Sequence, residues 1–219
     1  MQTAWLQRAN HPHCLLFFSG WGMDPEPFRF LPARSCDVVL VHDYRQLQPL
    51  DLEPLAGYRH VHLVAGSMGG WVAAHLLGDR AGAFVSRTAL AGTLSPIDAG
   101  RGLPPDSYAT MVDTFGPEVL ATFYANMFDD PTQLDRFLVS RPRRPMDELR
   151  EEMAAFRAAV LAAAPVQDIY TKKIVTSRDR IFTGRNQLRA WGRDKATVHA
   201  WPHFPFFQFV DWQDLLSAC

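Results

Sequence analysis

Along the chain, short apolar runs alternate with longer stretches in which apolar positions recur every three or four residues. The sharpest change of pattern lies between His60 and Leu77, HVHLVAGSMGGWVAAHLL. Val61, Leu63 and Val64 form a β-branched run suited to a buried parallel strand. From Trp71 onward, through Ala73 and Ala74, the pattern is that of an apolar helix. Between the two lie only Ala65, Gly66, Ser67, Met68, Gly69 and Gly70. Similar strand-like runs occur at Cys14–Phe18 (CLLFF), Asp37–His42 (DVVLVH), Arg87–Thr93 (RTALAGT), Lys172–Thr176 (KKIVT) and Ala196–Trp201 (ATVHAW), with a short edge strand at Thr3–Gln7. Helices are expected from Phe182 to Trp191 and from Phe207 to Leu216. Strands alternating with helices predict an α/β fold, a mainly parallel sheet with helices on both faces.

The alternation stops between residues 95 and 167. Pro104-Pro105 opens a helix over Asp106–Phe115, and Gly116-Pro117 breaks it and starts another, which places Leu120, Phe123, Tyr124 and Met127 on one face. Asp130-Pro131 reads as an N-cap followed by Pro at the first helical position. After the basic loop Arg141-Pro142-Arg143-Arg144-Pro145, a long helix begins at Asp147 with Leu149, Met153, Phe156 and Val160 on its apolar side. The reading is a single domain, residues 1–219, carrying a helical lid insertion over about 95–167.

Composition narrows the choice of partners. The 219 residues carry a net charge of −1, with 47% apolar and 21% charged positions. That balance suits a globular core and suggests neither nucleic acid nor an anionic membrane as partner. No apolar run is long enough to span a bilayer, and MQTAWLQRANH lacks the apolar core of a signal peptide. Cys14, Cys36 and Cys219 have no metal-ligand spacing, so no metal or cofactor is expected; reduced thiols and a cytoplasmic location are.

The strand–Ser–helix junction carries the chemistry. A serine on so sharp a turn needs small neighbours two residues before and after, here Ala65 and Gly69. This is the G-x-S-x-G nucleophile elbow with Ala in the first glycine's place. In such a site an acid and then a histidine follow the nucleophile in chain order. Asp179 comes just after the KKIVT strand and His203 just after ATVHAW, both where an open α/β sheet places its active site. The hydroxyl needs a base to accept its proton, and the carboxylate fixes the imidazole tautomer. His60 and His62 belong to the amino-terminal half of their strand, His75 lies well along its helix, and His199 lies inside a strand. Asp43 and Asp98 compete less well as the acid. Without a preceding G-x-G-x-x-G, Asp43 and Arg45 read as structural partners at a strand end. The loop SGWGMD after CLLFF offers the backbone N–H of Trp21 as an oxyanion donor, and Met68, next to the nucleophile, offers the other.

These pieces, FFSGWGMD, HDYR, LVAGSMGGW, RPMDEL, TSRDRIFTGRNQ and PHFPF, run in order from Phe17 to Phe206. With them the chain resembles the BioG-type pimeloyl-[acyl-carrier protein] methyl ester esterases, of the α/β-hydrolase superfamily. The resemblance implies Ser67 as nucleophile, Asp179 as acid, His203 as base, oxyanion stabilisation near Trp21 and Met68, and a role in biotin biosynthesis. It departs at Gly66, where the family commonly has an aromatic residue. The implied partner is an acyl carrier protein bearing a pimeloyl methyl ester, met by a monomer. Carrier proteins are acidic, so Arg136, Arg141, Arg143, Arg144, Arg150 and Arg157 are the expected docking residues. The competing reading pairs these arginines locally with Asp147, Glu148, Glu151 and Glu152. Two alternative functions stay open: a general small-acyl carboxylesterase or thioesterase, and a catalytically silent binding protein of the same fold.

Overall fold

The computed structural model describes residues 1–218. Seven strands form one sheet: β1 (Gln2–Gln7), β2 (His13–Phe18), β3 (Asp37–His42), β4 (His60–Gly66), β5 (Ser86–Leu90), β6 (Lys172–Thr176) and β7 (Thr197–His199). Their order across the sheet is β1-β3-β2-β4-β5-β6-β7. Only β1 runs antiparallel to its neighbour, β3; every other pair is parallel. Parallel strands covered on both faces need apolar residues on both, and β2 shows this clearly. Cys14, Leu16 and Phe18 enter the core layer that contains Trp71 and Phe156, whereas Leu15 and Phe17 enter the opposite layer with Phe28, Phe206 and Trp212.

Helix α1 (Met68–Leu77) follows β4 directly. Four helices then stand between β5 and β6: α2 (Pro105–Asp113), α3 (Pro117–Asn126), α4 (Pro131–Val139) and α5 (Met146–Ala162). The Asp130 carboxylate accepts from the Thr132 N–H, capping α4 ahead of Pro131. Leu149, Met153 and Phe156 of α5 are fully buried. Helix α6 (Gly184–Trp191) precedes β7, and α7 (Trp212–Ala218) follows it.

Element ends differ from expectation for local reasons. β5 stops at Leu90 because Ala91 turns to φ +53°. Helix α6 starts at Gly184, since the Thr183 side chain caps it and the Phe182 N–H is taken by Asp179. The expected helix over Phe207–Leu216 is split. A 3-10 turn spans Pro205–Gln208, burying Phe206, and Asp211 restarts the helix by accepting from the Asp214 N–H. Among the described residues no helix is long and apolar enough to cross a membrane.

Candidate active site

Ser67 joins β4 to α1 at φ +55°, ψ −128°, a conformation that side chains other than glycine rarely adopt. Two neighbours hold it there. The Ser67 N–H donates to the Leu90 carbonyl at 2.9 Å, and the Gly70 N–H donates to the Ser67 carbonyl at 3.1 Å. The chain also packs closely around the turn. A Cβ on Gly69 would lie 2.3 Å from the Ser19 carbonyl oxygen, and one on Gly92 would lie 2.4 Å from that of Ser67. Ala65 is fully buried in the position where the motif usually has glycine.

Asp179 and His203 come together from the ends of β6 and β7. His203 Nδ1 and Asp179 Oδ2 are 2.8 Å apart, and both side chains are buried. The other bonds of Asp179 account for its fixed position. Its Oδ1 accepts from the Ile181 and Phe182 N–H groups, and its Oδ2 accepts from Thr176 Oγ1 and Gln187 Nε2. Gln187, fully buried on α6, carries no signal in its residue type alone; it locks Asp179 to β6. Ser67 and His203 share the wall of one small cavity. Among the described residues they form no hydrogen bond to each other.

Four other histidines lie elsewhere. His13, His60 and His62 stack at the amino-terminal end of β2 and β4, away from Ser67, and His75 stacks on Trp71. Burial pushes the Cys14 and Cys36 thiols up to about 12 and about 11, so neither is a nucleophile near neutral pH. Among the described residues no cluster of His, Cys, Asp and Glu is arranged to hold a metal.

The loop after β2 reaches the nucleophile from the other side. A Cβ on Gly20 would stand 3.1 Å from Ser67 Cβ, so glycine allows the close approach. Trp21 follows, buried edge-on against Phe115 and Phe123, and its indole N–H donates to the Leu149 carbonyl of α5 at 2.9 Å. Met68 opens α1, where backbone N–H groups lack intrahelical acceptors. Beneath this loop lies a buried carboxylate. Glu152 of α5 is fully buried and accepts from the Gly22 N–H at 3.1 Å, the Tyr44 N–H at 2.8 Å and Arg144 Nη1. Burial pushes its carboxyl up, against the pull of Arg144 and the two N–H donors.

That arrangement corrects one expectation. Arg144 is no docking residue: its side chain is 7% exposed and is held by Asp43 and Glu152. Glu152 likewise belongs to the interior, not to a solvated face. The two competing readings of the basic loop therefore divide by residue. Arg141, Arg143 and Arg150 are exposed, Arg157 is half-buried, and Arg136 stacks on Phe30 and Phe207. Asp43 and Arg45 are the structural pair expected at the end of β3.

Two cavities meet at Ser67 and Trp21. One has a volume of about 30 Å³ and lies beside His203 among Phe17, Phe28, Leu90, Met127 and Phe206. The other is a cleft of about 710 Å³ that also touches Met68 and runs along α2 and α3 past Asp106, Thr110 and Thr122.

Comparison with known proteins gives this arrangement a context. The family model described as "Pimeloyl-ACP methyl esterase BioG" matches residues 1–215. A malonyl-[acyl-carrier protein] O-methyltransferase of Bacteroides fragilis (strain 638R) is 34% identical over 177 residues, 81% of this chain and 36% of that protein. The chain therefore spans about a third of that relative's length. The crystal structure of BioG from Haemophilus influenzae superposes with a TM-score of 0.85 at 30% identity, covering 97% of this chain and 98% of that one. A lipase-esterase related protein from Clostridium acetobutylicum shares the fold, with a TM-score of 0.63 at 13% identity, covering 99% of this chain and 97% of that one.

Proposed function

The chain belongs to the BioG family of pimeloyl-ACP methyl esterases, and on that premise we propose that it is a serine carboxylesterase acting in biotin biosynthesis. Its substrate in this reading is pimeloyl-acyl carrier protein methyl ester, cleaved at the distal ester while the thioester survives. Ser67 attacks the ester carbonyl, and His203 accepts the hydroxyl proton on Nε2. Asp179, bonded to Nδ1, holds the tautomer that leaves Nε2 free to accept. The backbone N–H groups of Trp21 and Met68 receive the oxyanion, each such donor being worth about 3 kcal/mol in the transition state. His203 then protonates the departing methoxide and activates the water that frees the carboxylate.

The observation that carries this reading is Ser67 held at positive φ beside a His203–Asp179 pair, in a chain matched by the family model over residues 1–215. Helices α2–α5 serve as the lid, and the cleft along α2 and α3 takes the acyl chain. Arg141 and Arg143, exposed in the loop before α5, are the strongest candidates to meet the acidic carrier. The enzyme is read as a cytoplasmic monomer.

The test is hydrolysis of pimeloyl-carrier-protein methyl ester by wild type and Ser67→Ala, followed by gel mobility. Wild type should convert it, and the variant should lose at least about 10⁴-fold in rate. Arg141→Glu combined with Arg143→Glu should slow turnover at low salt; unchanged turnover would remove those two from docking. A wild type active on small esters and inert toward the carrier-bound one would make the protein a general esterase.

A further inference from the structure

The geometry points to the small cavity beside His203 as the alcohol subsite. It holds the methyl of the leaving methoxy group, and Gly66 keeps it open. This rests on reading Ser67 as an ester-cleaving nucleophile.

A carbonyl carbon bound at Ser67 Oγ carries two arms, acyl and alkoxy, that must leave the reacting centre in different directions. The structure offers two spaces there, of about 30 Å³ and about 710 Å³. A hole that admits one water needs roughly 10–15 Å³ by such a measure. The small cavity therefore takes a methyl group and little more. It cannot take a seven-carbon acyl chain tethered to a protein, which leaves the open cleft for that arm.

Proton transfer selects the same arrangement independently. His203 lines the small cavity and not the cleft, whereas Met68, which opens α1, lines the cleft. The Ser67 Oγ–carbonyl bond forms and the carbonyl–methoxy bond breaks. The proton that His203 took from Ser67 passes to the methoxide oxygen, and methanol leaves. That oxygen must lie toward His203, so its methyl points into the small cavity.

The walls favour a single carbon. Phe17 is held against Phe28, Phe206 and Trp212 at centroid separations of 5.1–5.4 Å, so a longer alkyl group meets packed rings. Gly66 is not forced by its backbone. A Cβ there would find Phe17 Cε2 and the Leu90 carbonyl at 3.8 Å, ordinary contact distance. Glycine at this position leaves volume that a larger side chain would occupy.

The experiment compares kcat/KM for methyl, ethyl and butyl esters in two series, pimeloyl-carrier-protein half-esters and free hexanoates. The enzymes are wild type, Gly66→Leu and Met127→Ala. Wild type should prefer methyl over butyl by about 100-fold or more in each series it turns over. Gly66→Leu should lower kcat/KM for the methyl ester at least about 10-fold. Met127→Ala, which enlarges the cavity from the α3 side, should narrow the methyl-to-butyl ratio about 10-fold. Equal wild-type rates on methyl and butyl esters, or an unchanged ratio in Met127→Ala, would overturn the subsite. Methyl preference among hexanoates without turnover of any carrier-bound ester would support the subsite and discard the carrier-bound substrate.

Discussion

At the scale of single residues, the turn around Ser67 depends on two glycines that the sequence displays unequally. Gly69 belongs to the elbow motif, so its need for hydrogen in place of a side chain was legible. Gly92 was visible only as part of a strand end, because β5 brings it against the Ser67 backbone from outside the motif. Both positions would put a Cβ within 2.4 Å of a backbone oxygen, and neither oxygen can rotate away. Gly69→Ala and Gly92→Ala are each expected to destabilise the protein by about 3 kcal/mol, read as a lower urea midpoint with an unchanged slope. Gly66→Ala, with its 3.8 Å contacts, should cost less than about 1 kcal/mol. Equal midpoints for Gly66→Ala and Gly92→Ala would refute the steric account. The pairing of Asp179 with His203 was legible from chain order, since each follows a strand. Gln187 lay within a recognised stretch, but its role becomes visible only when α6 folds back on Asp179.

At the scale of elements, α5 does more than cover the site. Its Leu149 carbonyl and Glu152 carboxylate both hold the loop carrying Trp21, which makes the helix part of the support for Trp21, the proposed oxyanion donor on that loop. A signal for this was present in the sequence. Glu152 falls on the apolar stripe of Leu149, Met153 and Phe156, where a charged side chain has no solvent to face. Its partners, Gly22 and Tyr44, come from loops after β2 and β3, so periodicity alone could not name them. Glu152→Gln keeps an acceptor of similar shape and leaves Arg144 paired with Asp43. That variant should lower kcat about 10-fold, of the order of a weakened charge-assisted bond. KM should change little, because the cleft proposed for the acyl chain lies along α2 and α3. Glu152→Ala would leave Arg144 without one of its buried partners and should cost about 3–5 kcal/mol in stability. A Glu152→Gln enzyme with unaltered kcat would limit α5 to a structural role.

At the scale of the whole molecule, the parallel sheet and helical block were readable because apolar runs and periodic stretches alternate cleanly. The charged network joining β3 to α5 was legible only in its local pairs, Asp43 with Arg45 and Arg144 with Glu152; the Asp43–Arg144 link that joins them spans about a hundred residues. This network also sets the response to acid. Burial, with Arg144 close by, holds His42 down at about 4 against an ordinary 6.5, outweighing the opposing pull of Asp24 and Asp43. Asp43 is lowered to about 2: burial alone would raise it, but Arg45 and Arg144 outweigh that. For both groups the unfolded chain binds the proton more readily than the folded one, so stability rises with pH across each window. The His42 contribution is complete above about 6.5 and is lost as pH falls toward about 4. At 1.36 kcal/mol per pKa unit it amounts to about 3 kcal/mol. Asp43 then adds a further loss between about 4 and about 2. Glu152 acts in the opposite sense, because its raised carboxyl favours the folded state at lower pH. Comparison with His42→Gln isolates the histidine part, since the variant keeps Asp43, Arg144 and Glu152 in place. Urea unfolding between pH 7.5 and pH 4 should show wild-type stability falling more steeply than that of His42→Gln, the difference approaching about 3 kcal/mol at the acid end. Parallel curves would mean that His42 titrates alike in the folded and unfolded chains, and the acid sensitivity would then belong to the carboxylates alone.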